Sequence, residues 1–305
     1  MEDVVVIGGG PAGAACTLWL HQLGLRVLLL EAGDAIGGLQ LRSPYVNRWL
    51  PGVVNQTGKD VAASLQQHLS AAGAPYRLDF RIDRLGKTHP RGVFELWRGR
   101  EVIRAGHVVL ATGARPRTGG FTECESVAIG PGMPMERQSV AGRRVAILGG
   151  GDNAFDQAVF VQGRGASLVD IYCRNPPRAL PLLRRSVDPS RVHVGPFDAD
   201  PFRMAVNGIP YDFFGVQFGF EACIPPGLPL RLQQGCVVVD PHGAVPGMPG
   251  LYAAGEVTGF WHPCVATSYA QGIQVAKSIQ QRLDAGTAPQ PLSAAVQPAE
   301  SAVPV

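Results

Sequence analysis

The first 31 residues constrain this chain more than any other segment. Val4-Val5-Val6-Ile7 is an uninterrupted apolar run of the kind buried in a parallel sheet. Gly8-Gly9-Gly10-Pro11-Ala12-Gly13 follows, and Ala14 to Leu23 has helical composition. Arg26 to Leu30 reads as a second buried strand with Glu31 at its end. Strand, Gly-x-Gly-x-x-Gly, helix, strand and acid at this spacing make a unit suited to a dinucleotide. A helix N-terminus offers a pyrophosphate unpaired N–H groups and the positive end of a dipole. On this reading Gly8 makes the tight turn and Gly10 lets the backbone reach the pyrophosphate. Gly13 lets helix and strand pack closely, and Glu31 accepts hydrogen bonds from the adenosine ribose. The bland alternative is a tight turn and nothing more.

A second unit of the same design starts about 140 residues later. Arg143 to Leu148 is its strand, Gly149-Gly150-Gly151-Asp152-Asn153-Ala154 its turn, Phe155 to Gln162 its helix and Ser167 to Tyr172 its next strand. That last strand runs into Tyr172-Cys173-Arg174, with no carboxylate. Arg174 and Arg178 stand where a 2′-phosphate would project, which favours NADP over NAD. The alternative is an ordinary α/β subdomain without a nucleotide.

Two further apolar strands end in glycine turns: Val108 to Ala111 before Thr112-Gly113, and Gly250 to Ala254 before Gly255-Glu256. Alternating residues such as Val93 to Trp97 predict hairpin strands between 76 and 104, and Ala266 to Leu283 a closing helix. The pattern predicts an α/β chain of two nested Rossmann-like, three-layer domains. The first takes residues 1–117 and 245–305, with 284–305 a mobile tail of Ala, Pro and Gln; the second takes 118–244. The linker-like stretches Arg115-Pro116-Arg117 and Val245-Pro246-Gly247 set these bounds.

Composition removes several classes. Lys and Arg total 27 against 24 Asp and Glu, so a net charge of +3 argues against a strongly basic nucleic-acid binder. No apolar run approaches the length of a membrane span, and the Met-Glu-Asp start is unlike a signal peptide. The six cysteines lie 13 or more positions apart, without zinc or CxxC spacing. No metal and a reduced, cytoplasmic setting are the expectations.

With these residues in hand, the chain resembles the low-molecular-weight thioredoxin-reductase-like flavoproteins over residues 1–283. Gly8 to Gly13 with Glu31, Ala111-Thr112-Gly113, Gly149 to Ala154 and Gly255-Glu256 carry the likeness. Ala141 to Asp152 are similar to the bacterial ferredoxin/flavodoxin–NADP⁺ reductase branch, and Phe218-Gly219-Phe220 resembles that branch's strand before the return to the first domain. The resemblance implies FAD in the first domain, NADPH rather than NADH in the second, and a homodimer. It also implies electron transfer from flavin to an acidic ferredoxin or flavodoxin, or to a small acceptor. The FAD residues it implies are Gly8, Gly10, Pro11, Ala12, Gly13, Glu31, Gly38, Ala111, Thr112, Gly113, Gly255, Glu256, Val265 and Ala266, with Tyr45 or Trp49 stacked on the flavin ring. Those for NADP are Gly149, Gly151, Asp152, Asn153, Ala154, Arg174 and Arg178. Backbone N–H groups near Val265 would face the flavin, where the helix dipole stabilises negative charge.

The departures are informative. Thioredoxin reductases carry Cys-x-x-Cys just before the second glycine turn, where this chain has Ala128 to Met133 without cysteine. Larger disulfide reductases carry a cysteine pair soon after the first acid, where this chain has no cysteine between Glu31 and Cys124. Electrons are therefore expected to leave the flavin directly. The family's His-Arg-Arg-x-x-x-Arg reads Tyr172 to Arg178 here, and the stretch from Arg178 to Gly219 is about twenty residues short by resemblance. A second reading is thus a vestigial nicotinamide site with electrons entering from a protein donor, and a third a non-enzymatic flavin redox sensor. Glu256 replaces the family's Asp, and the tail lacks a flavin-covering aromatic. Tyr45 and Trp49 have simple packing as their alternative. Cys264 is read either as a redox thiol or as an inert buried one, and His262 as a proton donor to flavin or as bystander. Arg164, Arg174, Arg178, Arg184, Arg185 and Arg191 either form a basic docking face or reflect an Arg-rich composition.

Overall fold

The computed structural model describes residues 1–89, 92–260 and 262–286. The proposed tail from 287 onward and Trp261 lie outside them.

The chain opens as its apolar pattern dictates: β1 (Glu2–Ile7), α1 (Pro11–Gln22), β2 (Val27–Leu30) and, after a 3₁₀ turn at Gly38–Arg42, α2 (Gly58–Ala71). Helix α1 starts three residues before the expected Ala14, because Pro11 sits at its first position with φ already set for a helix. Thr57 and Asp60 form a capping box that starts α2. Next come β3 (Tyr76–Arg77), the antiparallel run β4 (Arg84–Lys87), β5 (Phe94–Arg98) and β6 (Glu101–Leu110), and β7 (Ala114–Pro116).

The first sheet has the order β3-β2-β1-β6-β5-β4. Strand β6 is long enough to change partners along its length. Its N-terminal half pairs antiparallel with β5, and its C-terminal half runs parallel to β1. Period-two alternation sends β1 side chains to both faces. Val4 and Val6 meet Leu20 of α1, while Val5 and Ile7 meet Phe94, Leu96 and Phe80 on the hairpin side.

The second domain follows with β8 (Val127–Ile129), α3 (Met133–Glu136), β9 (Arg144–Leu148), α4 (Asp152–Gly163), β10 (Leu168–Cys173) and α5 (Pro181–Arg185). It continues through β11 (Val192–Val194), the short antiparallel strands β12 (Ala199–Asp200), β13 (Ala205–Val206) and β14 (Ile209–Pro210), and β15 (Phe213–Val216). Its parallel sheet has the order β11-β10-β9-β15-β8.

The chain returns through β16 (Phe220–Ala222), which pairs antiparallel with β7, so the outgoing and returning strands lie side by side. The return therefore falls near residue 220, not at the expected 245. After the small hairpin of β17 (Leu232–Gln233) and β18 (Cys236–Val237), Ile224, Leu228, Leu230, Val237 and Val239 pack against the core of the first sheet. The linker-like Val245-Pro246-Gly247 is an internal turn: Val245 is buried and its N–H donates to the Leu251 carbonyl at 2.9 Å. Strand β19 (Leu251–Ala253) then adds to β6, and α6 (Val265–Asp284) closes the fold. No helix among the described residues is long and apolar enough to cross a membrane.

Helices α1 and α6 touch at backbone level. A Cβ on Gly272 would run into the Ala12 carbonyl oxygen and come within 3.1 Å of the Cys16 nitrogen. Gly272→Ala should therefore cost about 1–3 kcal/mol of overpacking, read as a lower urea midpoint; an unchanged midpoint would contradict this close contact.

Candidate functional site

The first glycine turn is shaped by three contacts that exclude side chains. Gly8 has φ 105°, and a Cβ there would strike the Ala111 carbonyl. A Cβ on Gly13 would strike the Gly8 carbonyl. At Gly9 it would lie 2.6 Å from Ile36 Cδ1. Gly10 differs: its nearest neighbour is the Gly38 Cα at 3.9 Å, so it opens outward. Gly10 caps α1 without any side-chain hydrogen bond, and no acidic residue stands in the first turn. That end of the helix is suited to an anion.

Glu31, expected at the ribose, holds backbone on both sides of it. Its Oε2 accepts the Gly9 N–H at 2.5 Å and its Oε1 accepts the Gly33 N–H at 2.7 Å. The carboxylate thus fixes the glycine turn and borders the adjoining cleft.

That cleft comprises two cavities of about 850 and 1030 Å³, which share Gly8, Glu31, Ala32, Arg81, Thr112 and Arg115. The smaller is lined by the expected Gly8, Gly10, Pro11, Ala12, Glu31, Gly38, Trp49, Ala111, Thr112, Gly113, Gly255, Glu256, Val265 and Ala266. Gly13 lies beneath them at the helix–strand contact. Gln40, Arg42, Arg81, Arg115 and Ser268 also line it, and no sequence signal marks them. The larger extends past Phe80 and Ile82 to Cys223 and Cys236. Two adjoining cavities, with a side-chain-free helix terminus on the wall of one and a backbone-held carboxylate on the wall of both, fit FAD.

Around Glu256 the Gly255 N–H donates to Gln271 Oε1 at 2.7 Å, and Thr258 Oγ1 donates to the Gly255 carbonyl at 2.9 Å. Burial pushes the Glu256 carboxyl above the usual glutamate range. Cys264 caps α6 on the cleft wall: its N–H donates to Thr267 Oγ1 at 2.9 Å, and that hydroxyl lies 3.3 Å from its sulfur. Burial raises the thiol pKa, but hydrogen bonds from Thr267 and from the Ala266 N–H outweigh it and hold the pKa below the ordinary value. His262 is exposed at φ 51°; the cavity wall is made by Pro263 and Cys264 instead.

Tyr45, one of the two aromatics expected at the ring, is directed at the second domain. Its hydroxyl lies 3.5 Å from Gln157 Oε1, and its ring meets Phe160 edge-on at 5.6 Å, both on α4 of the second domain. Trp49 does line the cleft, with 90% of its surface exposed.

The second glycine turn repeats the first. Gly149 has φ 149° and packs on the Gln217 carbonyl, Gly150 packs on Cys173, and Gly151 is open. Ala154 is buried in the place of the third glycine. Asp152 Oδ1 accepts the Leu180 N–H at 2.7 Å, and the Gly150 carbonyl accepts the Arg178 N–H at 2.8 Å, so the loop after β10 is tied to the turn. Arg174 and Arg178 are exposed on that loop, and the Arg174 guanidinium lies 5.6 Å from the Phe197 ring centre. Asn153, expected at the nicotinamide nucleotide, lines the cleft of the first glycine turn, which brings the second turn to the wall of that cleft. Of the arginine cluster, Arg164 pairs with Glu136 and Arg191 with Asp170 inside their own domain. Among the described residues, no group of three or more His, Cys, Asp or Glu could hold a metal ion.

Two outcomes follow. Glu31→Ala leaves the Gly9 and Gly33 N–H groups without their acceptor; losing charge-assisted bonds of about 1.5–3 kcal/mol should weaken FAD retention roughly tenfold to a hundredfold, measured by flavin released on dialysis. A carboxyl whose folded pKa is raised stabilises the fold at low pH and loses that contribution as pH rises through the folded pKa. FAD-free protein should therefore lose stability against Glu256→Gln as pH climbs above the glutamate range; a constant gap in denaturation midpoint would contradict the buried carboxyl.

The sequence family described as pyridine nucleotide-disulphide oxidoreductase matches residues 2–187. A ferredoxin–NADP reductase of Granulibacter bethesdensis is 27% identical over 290 residues, covering 84% of this chain and 81% of that one. That of Gluconacetobacter diazotrophicus is 32% identical over 196 residues, covering 61% of this chain and 57% of its own length. Among solved structures, Lactococcus lactis thioredoxin reductase in its FR conformation aligns at TM-score 0.76 and 19% identity, over 93% of this chain and all of that one (100%). The glycine turns, their cleft and the match over more than half of the sequence agree: this chain belongs to the pyridine nucleotide-disulphide oxidoreductase family.

Proposed function

We propose that this FAD-dependent oxidoreductase takes electrons from NADPH and passes them from flavin to a ferredoxin-type protein or a small acceptor, with no dithiol between. The observation that carries this reading is Asn153, which stands on the second glycine turn yet lines the cleft of the first. One cleft is thereby served by two dinucleotide turns. When bound, FAD would accept a hydride from the nicotinamide, take a further proton from water and hand both electrons onward.

The chain's own groups bind and orient. Gly10 and the N-terminus of α1 receive the FAD pyrophosphate, and Glu31 its ribose. Glu256 and the N-terminus of α6 at Val265 and Ala266 border the ring, where the dipole favours negative charge. Arg174 and Arg178 hold the 2′-phosphate of NADPH. Support for the acceptor comes from the relatives named ferredoxin–NADP reductase and from exposed Arg184 and Arg185 at the end of α5. Ala128 to Met133 carry no cysteine beside the second turn. The six cysteines are free thiols, which suits the reducing setting of the cytoplasm. Homodimer formation belongs to the same reading.

The test is anaerobic mixing of the purified protein with NADPH, and separately with NADH, while the yellow flavin band is followed. Rapid bleaching by NADPH is expected. No bleaching by either nucleotide would overturn the reading and point to a protein electron donor. Arg174→Ala with Arg178→Ala should weaken NADPH about tenfold to a hundredfold and NADH less than about twofold. Equal loss for both would refute the 2′-phosphate assignment.

A further inference from the structure

The contact of Tyr45 with α4 joins the two domains beside the FAD cleft. Asn153, Gln157 and Phe160 are spaced i, i+4 and i+7, so they share one face of α4. That face is turned towards the first domain. Asn153 reaches the FAD cleft, and Gln157 and Phe160 receive Tyr45. Gln157 is fully buried although polar, and its amide also donates to Asp156 at 3.2 Å. Phe160 is covered on another side by the Arg164 guanidinium at 5.4 Å, which Glu136 holds in place. A second contact lies nearby. Gly132, at φ 86°, packs so tightly on the Arg42 carbonyl that a Cβ would collide with it, and Arg42 faces Glu123 at 3.8 Å. The segment from Gly38 to Tyr45 is thus gripped by the second domain while the same segment lines the FAD cleft.

We propose that Tyr45 is a positioning residue for hydride transfer. It latches α4 onto the first domain, so that a nicotinamide nucleotide whose pyrophosphate sits on the Gly149–Gly151 turn brings its ring to the flavin in this one orientation, with no rotation of the domains. The proposal rests on the function set out above, since it presumes NADPH on the second turn. The latch itself exists with or without nucleotide, and so can be tested apart from that function.

The arrangement separates binding from transfer. The groups that hold NADPH, on the second turn and at Arg174 and Arg178, do not touch Tyr45. Loss of Tyr45 should leave nucleotide affinity intact and impair only the meeting of the two rings. Tyr45→Phe retains the edge-on contact with Phe160 and loses only a long hydrogen bond, so it should behave as the parent.

The experiment uses the full chain with FAD bound. Nitroxide labels on unnatural residues at exposed Gln67 of α2 and Arg185 of α5 report the interdomain distance by double electron–electron resonance, leaving native cysteines untouched. Without nucleotide, the parent and Tyr45→Phe should give one narrow distance, and Tyr45→Ala a broadened or shifted one. The rate of flavin reduction at saturating NADPH should fall about tenfold or more in Tyr45→Ala, with the NADPH dissociation constant within about twofold. Phe160→Ala removes the other half of the contact, and adding it to Tyr45→Ala should cost little more. The proposal is overturned by a broad distance distribution in the parent, or by a Tyr45→Ala protein whose distance and reduction rate match it. If NADPH fails to reduce the parent while the distances behave as expected, the NADPH reading falls and the latch stands.

Discussion

The structure depends on backbone brought against backbone at a few glycines. Gly8 lies on the Ala111 carbonyl, Gly13 on the Gly8 carbonyl and Gly272 on the Ala12 carbonyl. These contacts draw β1, β6, α1 and α6 to one point, and the mouth of the cleft opens there. Any side chain at these positions would push a helix away from the sheet and remove the free N-terminus from the place where a pyrophosphate would sit. Gly149 against the Gln217 carbonyl does the same for the second domain.

What lies between the two turns decides what the molecule can do. The chain passes between the domains through β7 and β16, paired along three residues each. The mutual placement of the domains therefore needs further contacts, which come from the segment between Gly38 and Tyr45. That segment is a wall of the FAD cleft and a surface of the domain junction at once. The basic groups are divided likewise. Arg164 and Arg191 serve internal ion pairs, while Arg174 and Arg178 stand on the exposed loop beside the second turn.

Local features were legible in the sequence and non-local ones less so. Val4 to Ile7, the glycine turns and the closing helix stand where their patterns put them, because each follows from residues close in the chain. The return of the chain near residue 220 was marked by the likeness of Phe218-Gly219-Phe220 to a strand before the return, but the linker-like stretch at 245 drew the boundary away from it. Pro246 and Gly247 look like a linker, and only the packing of Leu228, Leu230 and Val237 against the first sheet, far away in sequence, shows otherwise. The direction of Tyr45 was hidden, since it is set by Gln157, 112 positions on. Glu31 was recognised as a site residue, but its grip on the Gly9 and Gly33 N–H groups required coordinates. The polar lining from Gln40, Arg42, Arg81 and Arg115 carries no motif, because cleft walls are assembled from separate loops.

Direct release of electrons from flavin, with no thiol relay, is the central claim, and counting electrons tests it most directly. An anaerobic reductive titration with dithionite, followed by flavin absorbance and by free thiols, measures the equivalents each chain accepts. A single flavin takes up two electrons per chain with no change in thiol count. Uptake of four, with two new thiols appearing, would reveal a redox-active disulfide and contradict the account.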